Sequence, residues 1–341
     1  MITYGPRNCI HITYSEAYIA GLGSGICIYE RSTFKLLHRV NGIPCIHGGV
    51  FVSWDLLFVY TGQNRFYLIS ASDGQIVWSP PRHKKLASCG DMRICFNAEN
   101  NTISCIAEGR NSLEEHYLLI IDPFQQDCCI DIIPNCFRVI CNLFQTRANE
   151  TTFLSYQSTG ENGLQWSIQT LDAPNCVIYR NITDRVPYFH SEQFAILGEY
   201  CSNHEKYCNN RLVCLDLKGK TEYPLAMPSQ WYEKEPSVNL FTRENIPYPL
   251  PYVSCITKDE KYLLAYTSDM FFITDLQKNQ VITTYSGDEE FISCGTIMDS
   301  MCLIGCKDGI KIQPFPSQGT VCVSPFGTGD GSVRQGTERN H

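Results

Sequence analysis

Three groups of residues in this 341-residue chain have types and spacings that chemistry requires. The first is Cys201, His204 and Cys208, with Cys214 as a fourth member. Thiolate and imidazole donors so spaced can reach a single tetrahedral Zn²⁺; the alternative is a loop that carries incidental thiols. The second is Gly21, Gly23 and Gly25, spaced like a phosphate-binding turn. Such a turn must open a helix so that backbone N–H groups converge on the anion, yet residues 26–30 read ICIYE, a strand, so a tight turn is expected. The third is the pairing of Cys9 with His11 and of Cys45 with His47, which suggests a thiol nucleophile and its base. Strand residues two apart share a face but lie ~6 to 7 Å from each other, too far for proton transfer. No paired carboxylates stand out, so neither a catalytic residue nor a cofactor is expected.

The elements that carry these residues recur. Short apolar runs ending in an acidic or turn residue lie at 26–30, 66–70, 118–122, 168–172, 212–216, 271–275 and 310–314. Their ends are spaced by about 47 residues on average, close to the ~40 to 45 of one propeller blade. A second apolar run precedes each, at 18–22, 56–61, 102–107, 152–156, 194–200, 262–267 and 301–306. These runs are strand-length, rich in β-branched and aromatic residues, and bounded by Gly, Asn, Asp and Ser. Further runs before and after, such as 9–13 and 280–285, bring each unit to four strands. Helical periodicity is nearly absent, and its best candidate, 112–121, also reads as a loop feeding a strand. Seven four-stranded units predict an all-β, seven-bladed β-propeller, in which radial closure covers the flat faces of the sheets.

Residues 254–275, SCITKDEKYLLAYTSDMFFITD, resemble a WD-repeat blade, and 301–312, MCLIGCKDGIKI, resemble that family's Gly-x-x-Asp-Gly turn at Gly305, Asp308 and Gly309. The family's Trp-Asp pair ends none of the third strands, and Trp54-Asp55 falls between a first and a second strand. Asp73, Gly74 and Trp78 are similar to the blade motif of quinone-binding propellers in one blade only, and no quinone is expected. What WD-repeat resemblance implies is rigid presentation of loops to protein or peptide partners. Cys9, Cys45, Cys95, Cys141, Cys255 and Cys294 fall on innermost strands, where they are expected to serve as compact hydrophobes near the axis.

Composition sets further bounds. With 27 Lys and Arg against 35 Asp and Glu the net charge is −8, which argues against a nucleic-acid partner, whose phosphates need clustered basic residues. The densest basic run, Arg82 to Lys85, reads as a solvated loop. No apolar run approaches the ~20 residues of a membrane span, and no secretory signal opens the chain. A soluble, cytoplasmic protein with reduced thiols is therefore expected, monomeric on its own or part of a complex, without membrane insertion.

Residues 1–325 are read as one propeller, with a loop insertion at 218–251 between blades five and six and a disordered tail at 326–341. Second-to-third-strand turns are longest in blades three to five, on the face from which the insertion also emerges. Trp231, Tyr232, Phe241, Tyr248 and Tyr252 are the aromatic anchors expected to bind a partner there or, alternatively, to pack the insertion onto the propeller. The expected function is a noncatalytic interaction scaffold with its docking face over blades three to six. The alternative is a propeller enzyme or small-molecule sensor using the axial channel. Closure of the ring is left open between 320–323 and 2–4 as the last strand of blade seven.

Overall fold

The computed structural model describes residues 2–315 except 64, 82–93, 109–115, 126–129, 136–138, 160–162, 172–176, 200–209, 234–236, 239–244, 247–249 and 287–291, together with Val323 and Ser324. Its strands form a seven-bladed propeller of four-stranded antiparallel sheets. Blade one contains His11–Tyr14, Tyr18–Leu22, Ile26–Glu30 and Leu36–Val40; blade two contains Ile46–Phe51, Leu56–Thr61, Phe66–Ser70 and Ile76–Trp78. Ile94–Asn97, Thr102–Glu108, His116–Ile121 and Ile130–Asn135 make blade three, and Val139–Gln145, Thr151–Ser158, Leu164–Thr170 and Val177–Thr183 make blade four. Blade five is Val186–His190, Phe194–Glu199, Arg211–Asp216 and Thr221–Pro224; blade six is Tyr252–Ile256, Tyr262–Tyr266, Met270–Asp275 and Gln280–Ser286. Blade seven takes Ile292–Met298, Met301–Cys306 and Gly309–Pro314 from the end of the chain and Ile2–Tyr4 from its start.

That last pairing resolves the closure. Ile2, Thr3 and Tyr4 lie opposite Lys311, Ile310 and Gly309, so the two ends of the propeller share one sheet. Val323–Ser324 instead runs parallel to the outer strand of blade six. A second difference concerns the insertion. Thr221–Pro224 lies inside the expected 218–251 segment but pairs with Val213 to Asp216 as the outer strand of blade five, so the interblade segment begins at Leu225.

The middle strands are apolar on both sides because each serves two interfaces. Ala20 and Leu22 pack toward blade two while Ile19, on the opposite face of the same strand, packs toward blade seven. Phe66–Ser70 and Met270–Asp275 are buried along their whole length, whereas the outer strand Val177–Thr183 alternates between half-buried and exposed. The buried residues fall into seven clusters, one between each pair of adjacent blades.

Turn chemistry explains the acidic marker of the repeat. Asp216 accepts the N–H groups of Lys218 and Gly219, Asp275 those of Gln277 and Lys278, and Asp122 that of Phe124. Each carboxylate closes its own third-to-fourth-strand turn. First-to-second-strand turns in blades three, four, six and seven carry a left-handed residue, Asn101, Asn149, Glu260 and Asp299, with φ between 54° and 60°. These two turn types emerge on one side, the turn face. Second-to-third-strand turns and interblade segments emerge on the other, the connection face.

Candidate functional site

The sector expected to bind a partner is the connection face over blades three to six, and the interblade segment with its aromatic residues lies between blades five and six. After leaving blade five, the chain is clamped onto blade six. Asn279 Oδ1 accepts the N–H of Ala226 at 2.8 Å, Asn279 Nδ2 donates to Pro224 O at 2.9 Å, and Thr274 Oγ1 donates to Ala226 O at 3.1 Å. The short helix Ser229–Glu233 follows. Its Trp231 is completely buried among Leu225, Met227, Leu250 and the side chains between blades five and six. Of the two readings of Trp231, partner contact or packing of the insertion onto the propeller, its burial here accords with the second: it anchors the interblade segment on the propeller. Tyr232, roughly 100° further round the helix, is 64% exposed.

Tyr252 opens the first strand of blade six and is 60% exposed, while the alternation of the strand sends Val253 into the core. Directly across the sheet lies Tyr266. The two rings stack with centroids 5.5 Å apart and planes inclined by 24°, a cross-strand aromatic pair that holds both side chains. Of the five expected anchors, Tyr232 and Tyr252 are thus exposed on this face, Trp231 is not, and Phe241 and Tyr248 lie outside the described residues.

Charge organises the neighbouring strand ends. Arg211 donates to Glu199 at 2.9 and 3.2 Å, and Arg185 reaches both Glu199, at 3.4 Å, and Glu222. Hydrogen bonding from Arg211, followed by the charges of Arg211 and Arg185, holds the Glu199 carboxyl below the usual range. The network ties together the two strands that flank residues 200–209.

Cys201, His204 and Cys208 lie outside the described residues, as do Arg82 to Lys85 and the 326–341 tail. Cys214 is buried among Phe194, Ile196, Leu212 and their neighbours, and burial pushes its thiol up to about 12. In this position it packs as a compact core hydrophobe between blades five and six. Among the described residues no three His, Cys, Asp or Glu side chains converge as a metal site requires.

Cys9 and His11 each turn to a backbone carbonyl. His11 Nε2 bonds the carbonyl of Gly49 in blade two at 2.9 Å, and the Cys9 thiol turns to the backbone carbonyl of His11 at 3.6 Å. Burial lowers the His11 pKa, so the ring serves as a neutral bridge between innermost strands. Similar bridges join Ser254 to Gly295 and Ser293 to Cys9. Cys9 and Cys294 are buried, in keeping with compact hydrophobes, and Cys95 and Cys255 are half-buried. Cys45 departs from that expectation: it is exposed, just ahead of its strand, at a φ of 51°. The side chain of Cys141 lies outside the described residues. Gly23 and Gly25 close on each other, with Gly23 N bonded to Gly25 O at 2.9 Å, and the strand Ile26–Glu30 follows directly. The glycines make a tight turn.

Two features escaped the sequence. One is an open cavity of about 390 Å³ between blades five and six on the turn face, lined by Gln193, Phe194, Asp216, Tyr223, Lys278 and Asn279 among others. The other is Trp54, also on the turn face, 61% exposed at the tip of a tight turn. Its signal was present in the misplaced Trp-Asp pair, which put a large aromatic where a hairpin must turn to solvent. Compared with known proteins, the chain matches no family model and no curated protein sequence.

Proposed function

We propose that the chain is a noncatalytic, WD-repeat-like scaffold that binds a protein or peptide partner through the connection face over blades three to six. The observation that carries this reading is the stacked pair Tyr252 and Tyr266 on the first two strands of blade six, together with the exposed Tyr232 on the interblade segment that Trp231 anchors. Aromatic side chains held rigid before contact lose little entropy on binding, which is why Tyr and Trp dominate interface hot spots. The WD-repeat kinship rests on Gly305, Asp308 and Gly309. Gly309 has a φ of 134°, open only to glycine, and a Cβ on Gly305 would lie 2.6 Å from the carbonyl oxygen of Cys9.

A noncatalytic role is supported by the use of titratable groups as structure: His11 bridges two blades, and His190 bonds the Thr152 hydroxyl at 2.9 Å. A reducing, cytoplasmic setting is supported by ten free cysteines among the described residues. Among the described residues no helix is long and apolar enough to cross a membrane.

The test is comparative capture from cell extract with wild-type protein and a Tyr232→Ala/Tyr252→Ala variant, quantified by mass spectrometry. Loss of the same bound proteins, at an unchanged melting temperature, supports the reading. Equal capture by both overturns it.

A further inference from the structure

The turn face of blades one and two carries a second exposed aromatic surface, on the side of the propeller opposite to Tyr232 and Tyr252. Trp54 stacks on Tyr18 with ring centroids 6.4 Å apart and planes inclined by 23°. Both rings are held from the backbone. The Ser15 hydroxyl donates to the Trp54 carbonyl at 2.9 Å and accepts the N–H groups of Ala17 and Tyr18.

Carboxylates surround this platform. Asp55 is held by the N–H of Ser72 at 2.7 Å and by the hydroxyls of Ser70 and Ser72, and Glu30 accepts from Thr33. After burial, the charges of Asp55 and Glu30 are what raise the Tyr18 phenol. Glu16 is exposed in the same turn as Ser15. Among the described residues none of Glu16, Glu30 and Asp55 forms an ion pair.

The adjoining seam between blades seven and one shows the same arrangement with its cation in place. The Arg31 guanidinium lies 5.5 Å from the centre of the Tyr14 ring and donates to both oxygens of Asp299 at 2.8 Å. An aromatic face and a carboxylate together hold a guanidinium there. At Trp54 the aromatic face is larger and the carboxylates are more numerous; Arg31 also donates to the Ser15 carbonyl at 2.8 Å, but among the described residues no cation lies over the Trp54 ring.

We propose that the Trp54–Tyr18 platform, with Glu16, Glu30 and Asp55, is a second docking site that takes a Lys or Arg side chain from a basic segment of a protein partner. Indole gives the strongest cation–π attraction of the aromatic side chains, and an acidic rim steers a basic partner toward it while repelling an acidic one.

The probe is a short fluorescein-labelled peptide of alternating lysine and glycine, with a glutamate–glycine peptide as control, followed by fluorescence anisotropy at low salt. The lysine peptide is expected to bind and the glutamate peptide to be rejected. Trp54→Ala and Glu30→Gln should each weaken binding about 3- to 10-fold, and Trp54→Phe should restore part of the loss. Trp54→Ala keeps the backbone carbonyl that Ser15 uses, so its melting temperature should match wild type. Lysine-peptide affinity that is absent, or indifferent to both Trp54→Ala and Glu30→Gln, overturns the proposal, as does a loss produced instead by Tyr232→Ala/Tyr252→Ala. Trp54-dependent attachment to neutral phosphatidylcholine vesicles without peptide binding also overturns it, in favour of a lipid surface.

Discussion

Glu260 of blade six accepts the backbone N–H of Glu192 in blade five at 2.7 Å. The carboxylate is 4% exposed and also receives the N–H of Gln193 at 3.3 Å. Each blade is a separate sheet, so bonds of this kind, which cross from one turn to the next, supplement the apolar layers in keeping the ring closed. Blade five passes the link on: Glu192 accepts the N–H of Arg147 in blade four, where Asn149 in turn bonds Glu99 of blade three.

Glu260→Ala leaves two backbone donors without their acceptor and should lower stability by about 1.5 to 3 kcal/mol, the range for hydrogen bonds to a charged group. Glu260→Gln keeps one acceptor oxygen and should cost less. The denaturant midpoints of the two variants give the order directly. Arg147, 3.9 Å from the carboxylate and itself 63% exposed, contributes little, and Arg147→Ala should be close to neutral.

Ring closure is tested at Gly5. A Cβ there would lie 2.6 Å from the Cα of Gly309, so the approach of the first strand to the third strand of blade seven requires a hydrogen at that position. Gly5→Val should therefore detach Ile2–Tyr4 from Gly309–Pro314. The expected result is faster amide hydrogen exchange in Gly309–Pro314, with the strands of blade three unchanged. A destabilisation of about 1 to 3 kcal/mol should accompany it, as for other overpacked sites.

The strand order was legible because period and residue type act locally. The runs 18–22, 56–61 and 301–306 coincide with strands, since β-branched and aromatic residues between turn residues leave the backbone little choice. Thr221–Pro224 was hidden because it is short, contains Glu222 and Pro224, and is largely exposed; only pairing with its neighbour makes it a strand. Side-chain environment was less legible. Trp231 and Tyr232 are adjacent and chemically alike, and what separates them is the direction each takes from a helix of five residues. Such a direction depends on where the segment lands on blade six, which Asn279 and Thr274 determine from some fifty residues away.

Trp231→Ala removes a fully buried indole from the layer between blades five and six and should cost about 3 to 5 kcal/mol. Tyr232→Ala removes an exposed ring and should shift stability by less than about 0.5 kcal/mol. Differential scanning calorimetry of the two variants separates the anchor from the presented residue. Similar melting temperatures would mean that the interblade segment is not fastened through Trp231.

Alkaline pH should act on the core through its thiols. Burial pushes Cys214 up to about 12 and Cys302 up to about 11 from an ordinary value of 9.0, and raises Cys294 in the same direction. Above the ordinary value the unfolded chain gives up protons that the folded chain keeps, so folding becomes less favourable as pH rises. Within the window from 9 to about 12 for Cys214, and from 9 to about 11 for Cys302, each thiol lowers stability by up to about 1.4 kcal/mol per pH unit. The Tyr29 and Tyr223 phenols, also raised by burial, add a loss of the same sign above pH 10.0. Stability measured between pH 8 and 11 should fall steadily, and the slope should be shallower in Cys214→Ala. The same burial predicts the order of alkylation among the described cysteines. Exposed Cys45 should react first with iodoacetamide in the folded protein, while Cys214, Cys294 and Cys302 should react only as fast as the propeller opens. A flat pH profile together with early labelling of Cys214 would show that the layer between blades five and six admits solvent.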